Sequence, residues 1–191
     1  MHKYPKSSER IMQMGDGSLP ILDMSDHYKI YDGGEHSFDS VTALVQSSGT
    51  PISLGQEMGK YMNTEKFWGF LGDHRLEPLA DSPREVYTYN WVSEAQGPMI
   101  FDVGVFVPED LALRELPDWL EIKSYPAMRF FSLIYVGPFP HQQHSGWGNL
   151  RWDQRAEEKN LIYNEIVYRE LYHRYDYGTD QHVTEIQLSI D

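Results

Sequence analysis

The sequence predicts an α+β fold in which a strand–helix–strand–strand unit occurs twice. The two units are expected to form one mixed, mainly antiparallel sheet, with two helices packed on one face and a groove between the halves. Strand-like and helix-like patterns recur in the same order along the chain. A similar tetrapeptide occurs in each unit, REVY at 84–87 and RELY at 169–172, and it opens the hairpin that follows the helix. Repeated order combined with repeated residues indicates an internal duplication.

The N-terminal segment 1–40 is expected to be an irregular arm, because it is polar and interrupted by glycine and proline. It contains one short β-prone run, near 28–31. The rest of the chain, 41–191, is expected to form a single domain, and the repeat halves span about 41–110 and 121–191. A chain of 191 residues is long enough for one such domain with its own core.

The first unit begins with the β-prone run VTALVQ at 41–46. Apolar residues at spacings of three and four then predict a helix over about 52–72, and this helix includes Trp68. Two β-prone runs follow, at 84–91 and 99–107, with a short polar turn between them. This pattern predicts a hairpin.

The second unit repeats this order after a linker rich in Leu, Glu and Pro at 108–120. A strand is predicted over 128–136 and a helix over about 146–161, with Trp147 at its start. A second hairpin is predicted from the runs 165–172 and 182–190.

Composition excludes several classes of function. The chain has no cysteine, which rules out disulfides, thiolate zinc sites and cysteine nucleophiles. Its net charge of -13 opposes binding to nucleic acid and favours cationic ligands. No apolar run approaches the roughly 18 residues of a membrane span, and we expect no signal peptide, because no apolar stretch follows the basic residues of MHKYPKSSER. We therefore expect a cytoplasmic protein with a small-molecule partner, and the sequence leaves its oligomeric state open.

The histidine pair His141 and His144 is the candidate metal site in the sequence. Prolines and glycines around the pair favour a loop, where a spacing of three does not align two ligands, and no carboxylate follows before Asp153. His173 and His182 flank the last turn without completing a ligand set by spacing. We predict neither a metal nor a cofactor.

From about residue 41 to the end, the chain resembles the GyrI-like effector-binding domains in their stand-alone form. The resemblance is carried by RELYHRYDYGTDQHVTEIQL at 169–188, by EVYTYNW and FDVGVFVP in the first half, and by YVGPFP at 135–140. It implies an SHS2-like fold, with two units related by a pseudo-twofold axis and a ligand groove between them. In drug-sensing relatives, that groove holds lipophilic cations above an acidic residue with aromatic walls. Val136 departs from the family pattern, which has His or Arg at the position before Gly137.

By motif position, the resemblance assigns the acidic role to Glu185 and Glu170. Glu170 shares its predicted strand face with Tyr168 and Tyr172. Glu185 lies on a more polar face, and exposure of that face to solvent would account for a glutamate there without any ligand. Pseudo-symmetry makes Asp102 the counterpart of Glu185, as a second groove acid or as an ordinary edge residue. The predicted ligand-binding residues are Glu185, Glu170, Tyr172, Tyr168, Trp147, Trp68, Tyr89 and Phe106.

Three functions remain open from the sequence. The first is a small-molecule-binding domain that senses or sequesters lipophilic, cationic or aromatic ligands, as in multidrug binding. The second is a hydrolase of strained, cyclopropane-containing electrophiles that uses Glu185, Glu170 and Tyr168. The third is an acidic protein-interaction module.

Overall fold

The computed structural model describes residues 4, 6–53, 58–61, 64–92, 97–111, 113, 115–138, 152–174 and 181–191. The described chain forms one sheet with three α-helices and a short 3-10 helix at Met58–Lys60. In chain order, the elements are α1 Ser7–Gly15, β1 Ile21–Met24, β2 Lys29–Phe38, β3 Val41–Ser47, α2 Thr64–Asp73, β4 Glu85–Trp91, β5 Met99–Val107, β6 Glu121–Tyr125, β7 Met128–Gly137, α3 Trp152–Lys159, β8 Tyr163–Arg174 and β9 His182–Ile190.

The strand order is β1-β2-β7-β9-β8-β4-β5-β3-β6, and every described pairing is antiparallel. The α+β class built from duplicated units is confirmed: β3-α2-β4-β5 and β7-α3-β8-β9 form the two halves. Their central strands, β4 and β8, pair with each other. Glu85 lies opposite Tyr172, and Tyr87 lies opposite Glu170. The repeated tetrapeptide therefore pairs with itself across the pseudo-twofold axis.

The segment 1–40, expected to be irregular, contains helix α1 and strands β1 and β2. The two glycines that looked like breakers lie within β2, at a register shift against β7. Gly34 has φ +78, and a Cβ on Gly33 would lie 2.4 Å from Ser132 Oγ. Glycine permits this bulge and close approach, so β2 continues across it.

Two other predictions differ from the structure. In the predicted helix 52–72, Ile52 forms an isolated bridge with Met99, and α2 begins only at Thr64. Strand β6 was not predicted, because its five residues carry a weak apolar pattern. None of the described helices is long and apolar enough to cross a membrane.

Helices α2 and α3 lie on the same face of the sheet, which we call the helix face. Phe67 of α2 packs in one cluster with Leu44 and Val105, and the ammonium of Lys159 of α3 lies 5.4 Å from the ring centroid of Phe131. Alternation of side chains through the paired strands puts Val105 and Phe131 on this face. The central strands β4 and β8 lie between the two helices. The opposite side, contacted by α1, is the arm face.

The sheet curls toward the arm face. Only Pro126 and Ala127 connect edge strand β6 to β7, and they span at most about 11 Å. In a flat sheet these strands would be six spacings, or roughly 29 Å, apart. The guanidinium of Arg169 lies 4.9 Å from the ring centroid of Tyr125 and 4.8 Å from that of Phe130. Edge strand β6 and the internal strand β7 thus approach each other over one side chain of the central strand β8.

Candidate functional site

Glu170 lies on β8 at the centre of the helix face, and its side chain is fully buried. The hydroxyl of Tyr172 donates to Oε2 of this carboxylate at 2.5 Å, and the hydroxyl of Tyr168 donates to Oε1 at 3.3 Å. Both tyrosines lie two residues from Glu170 on the same strand, and residues at this spacing share a face. The strand period therefore brings the acid and its two donors together.

Aromatic rings surround this carboxylate. Tyr89 lies 5.1 Å from Tyr168 and 5.0 Å from Phe101, and Tyr87 lies 4.9 Å from Tyr172, all between ring centroids. These separations are within the range of favourable aromatic pairs. Partly buried apolar side chains pack against the same cluster, among them Met58, Tyr61, Trp91 and Leu161.

The tyrosines of this cluster keep their hydroxyl protons at neutral pH. Burial raises the pKa of Tyr89, Tyr168 and Tyr172 well above 10, and the negative charge of Glu170 raises each pKa further. The hydroxyls therefore remain protonated and point their dipoles at the carboxylate. An acid fixed in this way beneath aromatic rings is suited to stabilise a cation that leaves water.

A second acid, Glu85 on β4, lies on the same face and was not among the predicted site residues. The indole Nε1–H of Trp68 donates to Glu85 Oε1 at 2.6 Å, and the hydroxyl of Tyr87 donates to Oε2 at 3.4 Å. The guanidinium of Arg84 lies 5.3 Å from the Trp68 ring centroid. The sequence did contain a signal for Glu85, because the repeated tetrapeptide aligns it with Glu170.

Glu185 lies on the opposite face from Glu170. Glu170 pairs directly with Ile186, so their side chains share the helix face, and the neighbouring residue Glu185 points to the arm face. The expectation that both acids share one groove is therefore incorrect. The register between β8 and β9 decides this point, and a shift of one residue would reverse it.

On the arm face, Glu185 is buried in an ion-paired network. Arg10 of α1 donates Nε–H to Oε2 at 2.9 Å and Nη2–H to Oε1 at 3.2 Å, while Gln187 donates to Oε1 at 3.0 Å. His173 Nε2 lies 3.1 Å from Oε2. Burial alone would raise the pKa of Glu185, but Arg10 and these hydrogen bonds outweigh it and hold the pKa well below its usual range. This carboxylate anchors the arm.

Ser7, His173 and Glu185 form a chain of contacts that resembles a catalytic triad. Ser7 Oγ lies 2.9 Å from His173 Nδ1, but it also donates its hydrogen to the carbonyl oxygen of Ser82 at 3.0 Å. A hydroxyl has one hydrogen to give, so a Ser7 that donates to the Ser82 carbonyl cannot at the same time donate to His173, as the nucleophile of a triad must.

Two other predicted residues also lie on the arm face. Phe106 stacks on Tyr4 with a centroid distance of 5.6 Å. Asp102 accepts from Lys123 Nζ at 2.7 Å and from the Tyr125 hydroxyl at 2.8 Å, so it is a structural acid there. The aromatic packing of Phe106 explains its position without a ligand.

Of the predicted set, the structure brings together Glu170, Tyr168, Tyr172 and Tyr89, with Trp68 joined through Glu85. Trp147, His141 and His144 lie outside the described residues. Among the residues that the structure does describe, no group of three or more metal-ligating side chains is arranged to hold an ion.

Solved structures share this architecture. SAV2435 bound to tetraphenylphosphonium matches with a TM-score of 0.55 at 13% identity, over 82% of this chain and 92% of that one. The C-terminal domain of EcmrR matches with a TM-score of 0.55 at 10% identity, over 86% and 98% of the two chains. The chain has the fold of the GyrI-like effector-binding domains.

A third match to this GyrI-like fold is an uncharacterized conserved protein from Listeria innocua, with a TM-score of 0.52 at 12% identity, over 82% of this chain and 91% of that one. No protein-family model matches the chain, and no curated protein matches its sequence. The likeness therefore concerns the fold alone. The strand order of this chain places Glu170 on β8, the central strand of the nine.

Proposed function

We propose that the protein is a small-molecule-binding domain whose ligands are lipophilic cations, and that it acts in ligand sensing or sequestration. The observation that carries the proposal is the buried carboxylate of Glu170, held by two tyrosine hydroxyls within a cluster of aromatic rings. A cation above such rings gains from the carboxylate and from the negative ring faces at once. The attraction of the cation to the carboxylate and its attraction to the ring faces are both stronger in a site that excludes water.

Two further observations support this proposal. The net charge of -13 raises the local concentration of cations around the protein. In addition, one solved structure with the same fold is bound to tetraphenylphosphonium, an aromatic cation without hydrogen-bond donors. A ligand of that kind requires aromatic walls and a negative charge, and the helix face provides both.

The test is calorimetric titration with tetraphenylphosphonium. We expect saturable one-to-one binding by the wild-type protein and a loss of at least about tenfold in affinity for Glu170→Gln, since tenfold corresponds to about 1.4 kcal/mol. The matched control is Glu157→Gln on the exposed side of α3, which changes the charge equally but lies away from the cluster. Binding of equal strength in both variants would refute the proposal.

A hydrolase is a second candidate, favoured by the 2.5 Å contact between the Tyr172 hydroxyl and Glu170. In that function Glu170 acts as a general base toward water, while Tyr168 or Tyr172 positions the water or the leaving group. Mass spectrometry of cyclopropane-bearing electrophiles incubated with the protein would detect addition of one water. If the wild-type protein leaves these compounds unchanged, the hydrolase candidate is excluded. The third candidate, an acidic protein-interaction module, stays a prediction.

A further inference from the structure

The helix face contains the same acid–tyrosine pair twice. On β8 the hydroxyl of Tyr172 donates to Glu170, two residues earlier, and on β4 the hydroxyl of Tyr87 donates to Glu85, again two residues earlier. The register relates the two pairs by the pseudo-twofold axis, since each tyrosine lies opposite the other strand's glutamate. The duplication has therefore produced two acids in one site.

The two carboxylates are close neighbours. Glu85 and Glu170 occupy diagonal positions across β4 and β8, a relation that separates the two residues by roughly 7–8 Å and their Cβ atoms by somewhat less. Tyr87 and Tyr172 occupy the other diagonal, with ring centroids 4.9 Å apart. The hydroxyl of each ring in this pair donates to one of the two carboxylates.

Glu85 is also open to a ligand. It is half-buried and lines a small cavity with Gln46, Tyr61 and Thr64 at the edge of α2. None of the described basic side chains forms an ion pair with Glu85, and within the described chain its carboxylate accepts hydrogen bonds from two neutral donors, the Trp68 indole and the Tyr87 hydroxyl. Two like charges at this separation repel each other, and one cation can neutralise only one of them.

We propose that this site prefers amphipathic dications, whose two positive centres bind Glu85 and Glu170 together across the Tyr87–Tyr172 ring pair. The inference rests on the proposed function, because it uses the same site. One dication fits better than two bulky monocations, since both acids share one pair of rings. Glu85 is then the residue that determines specificity between single and double charge.

The experiment compares two matched probes by calorimetry. The dication is para-xylylene-bis(trimethylammonium), and the monocation is its single-charged counterpart, 4-methylbenzyl-trimethylammonium. We expect the wild-type protein to bind the dication at least about tenfold more tightly than the monocation, with one dication per chain. In Glu85→Gln this preference falls to about twofold or less, because the dication loses more affinity than the monocation does, and Glu170→Gln weakens both probes.

The control is Glu65→Gln, an exposed acid on α2 that changes the charge equally and should leave the preference intact. Glu85→Asp keeps the charge and should retain most of the preference for the dication. It thereby distinguishes loss of the carboxylate from misfolding of Glu85→Gln. Equal loss of both probes in Glu85→Gln, no preference in wild type, or binding of two monocations per chain would overturn the inference. If neither these probes nor tetraphenylphosphonium bind wild type, the proposed function itself fails.

Discussion

Arg10 donates its Nε–H to Glu185 at 2.9 Å although the two residues lie 175 positions apart in the sequence. A second donation from Nη2 makes the pair bidentate, a geometry that fixes both side chains. Both are almost fully buried. This buried charged contact anchors the N-terminal helix in the domain, together with hydrogen bonds such as that from Ser7 to the Ser82 carbonyl.

Substitution of Arg10 by Met should destabilise the protein by about 3–5 kcal/mol, because it leaves a buried carboxylate without its cation. Urea denaturation measures the change in the free energy of unfolding. Arg129→Met is the control, since its ion pair with Glu35 is about half exposed and is worth roughly 0–1 kcal/mol. A double variant, Arg10→Met with Glu185→Met, should recover part of the loss. A cost for Arg10→Met as small as that of the control would contradict this account.

Stability should fall in two steps as the pH decreases. Burial lowers the pKa of His36, and the adjacent Arg10 lowers it further, while Glu185 and Glu9 act in the opposite direction. The unfolded chain therefore takes up this proton first, at its ordinary pKa of about 6.5, and stability declines from there downward. The lowered pKa of Glu185 adds a second decline below about pH 4.

Unfolding free energies between about pH 2 and 8 test both steps of this pH dependence. His36→Phe should flatten the upper decline, since a ring in this position can keep its stacking on Phe38, and it should leave the lower decline in place. His27→Phe removes an exposed histidine and should change neither step. If the stability of His36→Phe still declines below about pH 6.5 as in the wild type, the upper decline belongs to another titrating group.

Gly104→Ala should destabilise the first half severely, by about 3 kcal/mol or more. The added Cβ would lie 2.0 Å from the carbonyl oxygen of Leu44 and 2.8 Å from Cα of Val45, and both are backbone atoms of strand β3 that cannot move alone. Gly69→Ala in α2 is the control, because nothing lies within 4 Å of its new Cβ and alanine favours a helix by up to about 1 kcal/mol. In thermal denaturation, Gly104→Ala should lower the melting temperature and Gly69→Ala should raise it. A lower melting temperature in both variants would contradict the geometry.

Alkaline titration should reveal the tyrosines around Glu170. Burial and the charge of Glu170 raise the pKa of Tyr89, Tyr168 and Tyr172 well above 10, so these three should ionise only as the protein unfolds. Tyrosinate absorbance measures this. Glu170→Gln removes the charge of Glu170, so some of the delayed tyrosinate absorbance should shift to lower pH. Complete titration of the folded wild type near pH 10 would show that the cluster is open to water.

The sequence predicted those features that local patterns encode. Strands 99–107 and 182–190 have the predicted bounds, because apolar runs with flanking turn residues are local signals. Strand β2 has two internal glycines, and its stability comes from pairing with β7, which lies about a hundred residues later. No local pattern marks such a partner.

The site was predicted in part for the same reason. Tyr168, Glu170 and Tyr172 share a face by strand period alone, so the sequence was sufficient to group them. The position of Glu185 depended on the register between two strands, and the role of Arg10 depended on a contact across the whole chain. Glu85 was encoded by the repeat but needed the β4–β8 pairing to bring it beside Glu170.

The self-pairing of the repeated tetrapeptide has a consequence for each half alone. An antiparallel pair in which Glu85 faces Tyr172 and Tyr87 faces Glu170 has the symmetry of an isologous dimer, the arrangement formed by two identical subunits. A polypeptide carrying only one half would present this central strand as an open edge. Two copies would complete the sheet by the same hydrogen bonds, and every acid in the resulting binding surface would then occur as an exact pair.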